Sequence, residues 1–309
     1  MSSVTQITIA GFTGRMAQLI TKYFLDNYPA VKINGIVRNA SKVPDNVRTL
    51  SSIGVFEADA TDKSSLVEAL KGSQVCICCY SGEPVLMTDG QKLLVDCCIE
   101  AGVSRYIASD WGNDFRALAL GEVPMKDASK LIYSYLQGKR ADGKDILGVH
   151  ILTGTFMEVL FSHMFADDAH TVIKYFGTGD ERFDVSAMPD AAAWTVEAVM
   201  DPNASGVIEV RGDRVCYNAI AKQLEEVYQT KITLQNCGTL DSLKSMIDRL
   251  RQKDPGNVKA WAPLLFVHYV LSGKGDLKNV DSTRYPKVDP LSLTGFLNQH
   301  TLADVTEYY

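Results

Sequence analysis

The chain has 309 residues, of which 46% are apolar and 22% charged, so it is long enough to bury a large core as one large domain or two. Its formal net charge of -6 gives no general attraction to nucleic acid or to an anionic membrane. Because it has no membrane-length apolar run, no secretory leader and an odd number of cysteines, we expect a soluble, cytoplasmic protein with free thiols.

The first predicted element is a strand over Val4 to Ala10, followed by the turn Gly11-Phe12-Thr13-Gly14-Arg15-Met16-Ala17. After the glycines the apolar residues recur at helical spacing, so a helix begins there. Gly11 allows a tight turn, and Gly14 allows the backbone to approach a pyrophosphate at the N-terminus of that helix. We therefore predict that a dinucleotide binds at Gly11, Phe12, Thr13, Gly14, Arg15 and Met16.

The second predicted strand, Val31 to Arg38, indicates which dinucleotide is bound. NAD sites place an acidic residue about 20 residues beyond the glycines, whereas a 2'-phosphate calls for arginine. Arg38 occupies that position and Lys42 follows it. Because a guanidinium can hold a phosphate with two parallel hydrogen bonds, the sequence favours NADP(H). The alternative is that Arg38 is a solvated residue at the end of a strand.

Three further strands are predicted, over Gly54 to Ala58, Val75 to Cys79 and Arg105 to Ser109, with helical or polar segments between them. This alternation predicts an α/β fold with a Rossmann-like, doubly wound parallel sheet. Ligands of such sheets bind beyond the carboxyl ends of the strands. The residues that follow the strands are therefore predicted to bind the cofactor (Asp59, Ala60, Tyr80, Ser81 and Gly82) or the substrate (Ser109, Asp110 and Trp111).

The second half begins after a sixth predicted strand, Leu147 to Thr153. We place a cofactor-binding domain at 1–154 and a substrate-binding region at 155–309, with a strand near 207–211 returning to the first sheet. Helices are predicted in the second half over 191–200, 219–228, 240–250 and 258–271, and a last helix is predicted after the turn at Pro290-Leu291-Ser292-Leu293. Next to the boundary, we assign Phe156 to the cofactor site and Met157 and Phe161 to the substrate site, in an apolar cleft or in the core.

Several segments, taken in order, resemble a known family. They are Gly11-Phe12-Thr13-Gly14, Arg38, Asp59-Ala60-Thr61-Asp62 to Leu70, Ala101 to Gly112, and Thr153-Gly154-Thr155-Phe156. The chain is similar in these segments to the NmrA-like and isoflavone-reductase-like proteins, which are atypical short-chain dehydrogenases/reductases. The resemblance implies a Rossmann-like NADP(H) domain and a smaller, mostly α C-terminal part that closes a substrate cleft.

The resemblance also implies two alternative functions. The first is an NADPH-dependent reductase of secondary metabolism, which transfers hydride to a carbonyl or conjugated double bond of a small apolar or aromatic metabolite. The second is a non-catalytic NADP(H)-binding regulator that acts through a protein partner. Whether the chain forms a homodimer stays open.

In reductases of this family a lysine on the helix after the fifth strand faces the nicotinamide. Lys130 suits that place, because it stands about 20 residues before the next predicted strand, and it is assigned to both the catalytic and the cofactor site. Lys126 is the competing alignment, one helical turn earlier, in the position where ordinary short-chain dehydrogenases have tyrosine. The pair Tyr135 and Lys139 has the usual dyad spacing but stands too close to the next strand.

Overall fold

The computed structural model describes residues 4–161, 164–167 and 169–306, and it alternates strands with helices along the first half of the chain. The strands are β1 (Gln6–Ala10), β2 (Lys32–Val37), β3 (Ile53–Glu57), β4 (Val75–Cys78), β5 (Arg105–Ile107), β6 (Leu147–Leu152), β7 (Thr155–Phe156), β8 (Val172–Tyr175), β9 (Phe183–Ser186), β10 (Gly206–Glu209), β11 (Asp213–Val215) and β12 (Thr233–Asn236).

The helices range from one turn to four. They are α1 (Arg15–Asn27), α2 (Asp45–Arg48), α3 (Lys63–Leu70), α4 (Gln91–Ala101), α5 (Asp127–Ala141), α6 (Met157–Leu160), α7 (Met188–Met200), α8 (Tyr217–Tyr228), α9 (Leu240–Lys253), α10 (Val258–Leu271), α11 (Leu293–Leu297) and α12 (Leu302–Thr306). None of these helices is long and apolar enough to cross a membrane, within the described part of the chain.

The central sheet has seven strands in the order β10-β6-β5-β4-β1-β2-β3. The neighbours from β3 to β6 pair in parallel, so the predicted Rossmann-like, doubly wound sheet is confirmed. The strand order reverses beside β1, which pairs with β2 on one edge and β4 on the other. In open α/β sheets this reversal opens a crevice at the carboxyl ends of the strands, which is where ligands bind.

Contacts divide the chain into two units, and the chain passes between them several times. The first unit comprises Met1–Trp111, Asp127–Ile151 and Ala191–Ile208. The second unit comprises Gly112–Lys126, Leu152–Asp190 and Glu209–Tyr309.

The first unit has a core of fully buried side chains from the sheet and the helices packed on it. Ile77 of β4 and Leu66 of α3 are both completely buried. Arg105 of β5 is also buried, and its guanidinium donates to the carbonyls of Val199 and Asp201 at the end of α7. Because this arginine satisfies carbonyls that have no partner within a helix, it fixes the end of α7 against the sheet.

The second unit contains two small sheets, β11-β9-β7 and β12-β8, together with α9 and α10. Its strands have only two to four residues, and the sequence analysis predicted none of these five. Asp184 of β9 is buried and accepts hydrogen bonds from the side chains of Arg211 and Arg214. These ion pairs join β9 to β11 and to the segment that precedes β11. Charged side chains therefore help to stabilise this sheet, whose strands are short.

Candidate functional site

The turn from β1 into α1 has a backbone that only glycine fits. Gly11 has φ +77°, and a Cβ atom there would lie 2.7 Å from the carbonyl oxygen of Cys79. The amides of Gly11 and Phe12 both donate to the carbonyl of Ile36, at 3.2 and 3.1 Å, which ties the turn to β2. The amide of Gly14 donates to the carbonyl of Gly11 at 2.9 Å. The turn is therefore tight and fixed on both sides.

Neither the N-cap residue nor the first turn of α1 supplies a side chain that caps this helix. Gly14 is the N-cap residue, it supplies no side-chain hydrogen bond, and the first turn holds no acidic residue. At the start of α3, by contrast, the Asp62 carboxylate accepts hydrogen bonds from the amides of Ser64 and Ser65. The positive end of the α1 dipole and its first amides are thus arranged to bind a phosphate group.

A cleft of about 200 Å³ opens at the carboxyl ends of β1 to β4 in the first unit. It is lined by Gly11, Thr13, Gly14, Ile36, Val37, Arg38, Ala58, Ala60, Cys79, Tyr80, Ser81 and Leu86. Seven of these were predicted as cofactor residues, so the fold brings together Gly11, Thr13, Gly14, Arg38, Ala60, Tyr80 and Ser81. Ile36, Val37, Ala58 and Cys79 lie at or next to strand ends, so the same rule would have included them, whereas Leu86 stands eight residues beyond the end of β4.

Arg38 and Asp59 supply the charges near this cleft. Asp59 accepts from the hydroxyl of Thr61 at 2.6 Å and from the Thr61 amide at 2.9 Å. These hydrogen bonds lower the pKa of Asp59, and the positive charge of Arg38 lowers it further. Asp59 is exposed and does not line the cleft, although Ala58 and Ala60 on either side do.

The remaining predicted cofactor residues lie away from the lining. Phe12 is buried, and its ring fills the space where a Cβ atom on Gly35 would lie, 2.4 Å away. Met16 is buried in the face of α1 that packs on the sheet, whereas Arg15, Lys42 and Gly82 are exposed. Phe12 and Met16 are therefore buried and do not line the cleft.

The three residues after β5 make hydrogen bonds within the first unit. The Ser109 hydroxyl donates to the carbonyl of Tyr80 at 2.7 Å, and Trp111 Nε1 donates to Thr195 Oγ1 at 2.8 Å. Asp110 Oδ2 contacts Nδ1 of His150, and both side chains are almost fully buried. His150 was not predicted, because nothing in the local pattern of β6 pairs it with Asp110. The hydrogen bond from Ser109 to the carbonyl of Tyr80 joins the ends of β4 and β5 beside the cleft.

Lys130 lies in the first turn of α5 and is half-buried. Lys126 ends the 3-10 turn Pro124–Lys126, immediately before α5 begins, and it belongs to the second unit. The Tyr135 hydroxyl donates to both carboxylate oxygens of Asp96, and Lys139 pairs with the same carboxylate at 2.7 Å. Tyr135 and Lys139 thus link α5 to α4.

The second unit contains an apolar cavity of about 490 Å³. It is lined by Met125, Thr155, Val159, Leu160, Met164, Phe183, Tyr217, Val258, Lys259, Ala262, Pro263, Phe266, Val267, Val270 and Leu271. Met157 and Phe161, predicted for the substrate site, are buried and lie outside this lining, as does Phe156 of β7. Half of the lining comes from α10, which has apolar residues all round and was predicted over 258–271.

Comparisons with known proteins agree with this architecture. The sequence model of the NmrA-like family matches residues 3–254. An isoflavone reductase structure has a TM-score of 0.78 at 19% identity, covering 96% of this chain and 99% of that one. The NADPH complex of the quinone oxidoreductase QOR2 from Escherichia coli has a TM-score of 0.73 at 22% identity, covering 95% and 99% of the two chains.

Similar sequences are more limited in extent. An NmrA-like family domain-containing oxidoreductase from Gibberella moniliformis is 27% identical over 161 residues, which is 51% of this chain and 52% of the relative. The chain spans about half the length of the curated relatives it matches.

Proposed function

Because this chain belongs to the NmrA-like family, we propose that it is an NADPH-dependent reductase. Its substrate is a small apolar or aromatic metabolite that accepts hydride at a carbonyl or a conjugated double bond. The similar proteins point the same way: the sequence relatives are named oxidoreductases, and one solved neighbour is a quinone oxidoreductase complexed with NADPH.

The observation that carries this proposal is the cleft of the first unit. Its glycine turn and uncapped α1 suit a pyrophosphate, and Arg38 at the end of β2 suits the 2'-phosphate of NADP(H). Thr61 and the charge of Arg38 lower the pKa of Asp59, so its carboxylate is ionised and attracts the exposed guanidinium of Arg38. When bound, NADPH supplies the hydride; the residues of the chain bind it and exclude water.

Lys130 is the residue of this chain that we assign to the acceptor oxygen. A protonated amine on α5 can stabilise the negative charge that develops on that oxygen and can then donate a proton to it. Ser109 is a second polar group in the first unit, and its hydroxyl is oriented by the carbonyl of Tyr80. The apolar cavity of the second unit suits the apolar or aromatic part of such a metabolite.

The second candidate is an NADP(H)-binding regulator without catalytic activity. Lys126 stands where ordinary short-chain dehydrogenases have tyrosine, so the usual proton donor is missing. Under this alternative the cleft binds the cofactor, and a protein partner reads whether it is oxidised or reduced.

A fluorescence titration with NADPH, NADH and NADP+ tests the cofactor site. We expect a preference for NADPH over NADH that falls roughly 10- to 100-fold in Arg38→Ala, because a charge-assisted phosphate contact is lost. Arg48→Ala is the matched control, since Arg48 is an exposed arginine in the same β2 to β3 connection that pairs with Asp45. No binding of any nicotinamide cofactor would overturn the proposal.

NADPH consumption with aryl ketones and quinones then separates the two candidates. The reductase predicts turnover that Lys130→Met lowers at least tenfold while NADPH affinity stays within twofold. Lys126→Met is the control, and it should retain most of the activity. Tight NADPH binding without turnover of any substrate, and a large difference in affinity between NADPH and NADP+, would favour the regulator.

A further inference from the structure

The cavity of the second unit is almost entirely apolar, and few of its side chains can form a hydrogen bond. Thr155, Tyr217 and Lys259 are the lining residues with a hydroxyl or an amino group. A small number of polar groups in an otherwise apolar cavity fixes the orientation of a ligand and determines specificity. The question is which of the three is available to a ligand.

Two of these residues are not available: Thr155 is hydrogen-bonded within the protein, and Lys259 is exposed to solvent. The Thr155 hydroxyl donates to Asn113 Oδ1 at 3.3 Å. Lys259 is exposed at the start of α10, so water solvates its amino group. Lys259 therefore lies at the rim and not among the buried walls, and neither residue supplies a buried polar group that lacks a partner.

Tyr217 differs from both. It is the first residue of α8, and its ring is held by Tyr175 and Phe183, with ring centroids 5.7 and 6.1 Å away. The residue is half-buried, and within residues 4–161, 164–167 and 169–306 its hydroxyl has no hydrogen-bond partner. The ring is thus fixed by packing while its one polar atom is unused.

The surroundings keep this hydroxyl neutral. Burial raises the pKa of Tyr217 to about 12, so it carries its proton at any physiological pH and can donate a hydrogen bond. Because no group of the described chain uses this hydroxyl, a ligand with an acceptor atom can gain its hydrogen bond without breaking one inside the protein. The cavity therefore favours a ligand that brings an acceptor to this position.

We propose that Tyr217 is the specificity-determining residue of the cavity, and that it donates a hydrogen bond to an uncharged oxygen in the apolar part of the ligand, distinct from the acceptor oxygen that is assigned to Lys130. This rests on the proposed function in taking that ligand to be the substrate. A ketone or an ether oxygen fits the description. A carboxylate does not, because the apolar walls would desolvate its charge and the one lining cation, Lys259, is at the exposed rim.

The test compares two probes of equal shape that differ in one oxygen. Binding of 2-acetylnaphthalene and 2-isopropenylnaphthalene to the full chain is measured by calorimetry with NADP+ present, so that no reduction takes place. We expect the ketone to bind about three- to tenfold more tightly, the range of one net hydrogen bond. Tyr217→Phe should remove this difference and leave the affinity for the hydrocarbon unchanged.

Tyr175→Phe is the matched control, because Tyr175 packs on the same ring but does not line the cavity. It should keep the preference for the ketone, as should Thr155→Val. Thermal unfolding of each variant shows whether it folds like the unmodified chain. Thr155→Val also keeps the inference testable if Tyr217→Phe fails to fold, since loss of the preference in Thr155→Val would assign the hydrogen bond to Thr155.

Three outcomes would overturn the inference: equal affinity for the two probes, a ketone preference that survives in Tyr217→Phe, or tighter binding of 2-naphthoate than of the ketone. The proposed function fails separately, through absence of NADPH binding or turnover. A ketone preference that depends on Tyr217 in a chain that consumes no NADPH would support a ligand site without reductase activity.

Discussion

The cleft of the first unit and the cavity of the second unit are formed by different parts of the chain. The cleft of the first unit is shaped by the backbone: a turn at Gly11, the start of α1, which its N-cap residue leaves uncapped, and the carboxyl ends of parallel strands. The cavity of the second unit is shaped by side chains from several elements, mainly α10. A backbone-built site depends on particular residues at particular positions. A site built from apolar side chains depends on their volume and polarity.

This difference predicts how the two regions respond to mutation. A methyl group at a strained glycine meets backbone atoms, which cannot rotate away, so the cleft should tolerate very little there. An apolar exchange in the cavity changes its size and leaves the chain folded. Each of the following experiments tests whether the two regions differ in this way.

The largest effect is expected for Gly11→Ala. The added Cβ atom would lie 2.7 Å from the carbonyl oxygen of Cys79, at φ +77°. Left-handed strain and overpacking together should lower the free energy of unfolding by about 3–5 kcal/mol. NADPH affinity should fall more than about 100-fold, because the turn shifts away from the start of α1. Urea unfolding and NADPH titration measure the two effects.

Gly102→Ala is the matched control for this variant. Gly102 ends α4 at the same φ of +77°, but a Cβ atom there has no neighbour within 4 Å. It should lose about 1–2 kcal/mol from left-handed strain alone and bind NADPH normally. If the two variants lose equal stability and both still bind NADPH, then the close approach to Cys79 is not what requires glycine.

The parts of the fold that were predictable are those set by neighbouring residues. The predicted strand Val75 to Cys79 differs from β4 by one residue, and the helix over 258–271 has the bounds of α10. Asp62 starts α3 and Gly102 ends α4, as their roles as a cap and a left-handed residue predict. Periodicity and caps are local, so they can be read without knowing the tertiary structure.

The features that were missed depend on residues far apart in the chain. Asp110 contacts His150 across two strands, and Tyr217 borders the same cavity as Phe266. No spacing rule joins such pairs. Phe12 was instead assigned to the cofactor site because it stands inside the glycine turn, but its ring packs over Gly35 and does not line the cleft. A motif predicts where a site lies more reliably than which of its side chains face the ligand.

The second largest effect is expected for Glu158→Gln. Glu158 belongs to the second unit. It lies in α6, next to the cavity residue Val159, and it is almost fully buried, with Oε2 unpaired among the described residues. Burial, with a smaller contribution from the charge of Asp190, raises the pKa of Glu158 to about 7. The lining of the cleft contains no carboxyl group. The two regions should therefore respond differently to pH.

The folded state holds the proton of the Glu158 carboxyl group more tightly than the unfolded state does. The contribution of Glu158 to the free energy of unfolding is therefore fully present below about pH 4.5 and is lost as pH rises to about 7. The loss amounts to roughly 3 kcal/mol. Glu158→Gln should be more stable than the unmodified chain at pH 8 and show a shallower decline. Urea unfolding from pH 5 to 8 measures this, with Glu57→Gln at the exposed end of β3 as control.

Asp190 accounts for the pH dependence of stability that should remain in Glu158→Gln. Burial raises the pKa of Asp190 to about 6, so its contribution also declines as pH rises. The double variant with Asp190→Asn should be flatter still. A Glu158→Gln chain that is less stable than the unmodified one at pH 8 would mean that Glu158 is needed in its ionised form.

Phe266→Ala changes the cavity without touching the cleft. Removing this ring from the lining should weaken binding of 2-acetylnaphthalene roughly tenfold or more, since its apolar contact with the probe is lost. NADPH affinity should stay within about twofold. Met246→Ala is the control, because Met246 is an exposed apolar residue of α9 outside the lining. A parallel loss of NADPH affinity would show that the two recesses do not act independently.

The smallest effect is expected for Asp62→Ala, at the other strand-to-helix turn of the first unit. Asp62 closes the start of α3 with its own carboxylate, which accepts from the amides of Ser64 and Ser65. Its loss should cost about 1 kcal/mol of stability, the usual contribution of an N-cap, and leave NADPH affinity unchanged. Two parallel turns would then differ in function by one feature: a side chain caps α3, whereas the start of α1 is left to the ligand. A fall in NADPH affinity of more than about twofold in Asp62→Ala would contradict that distinction, because it would make the capped turn part of the cofactor site.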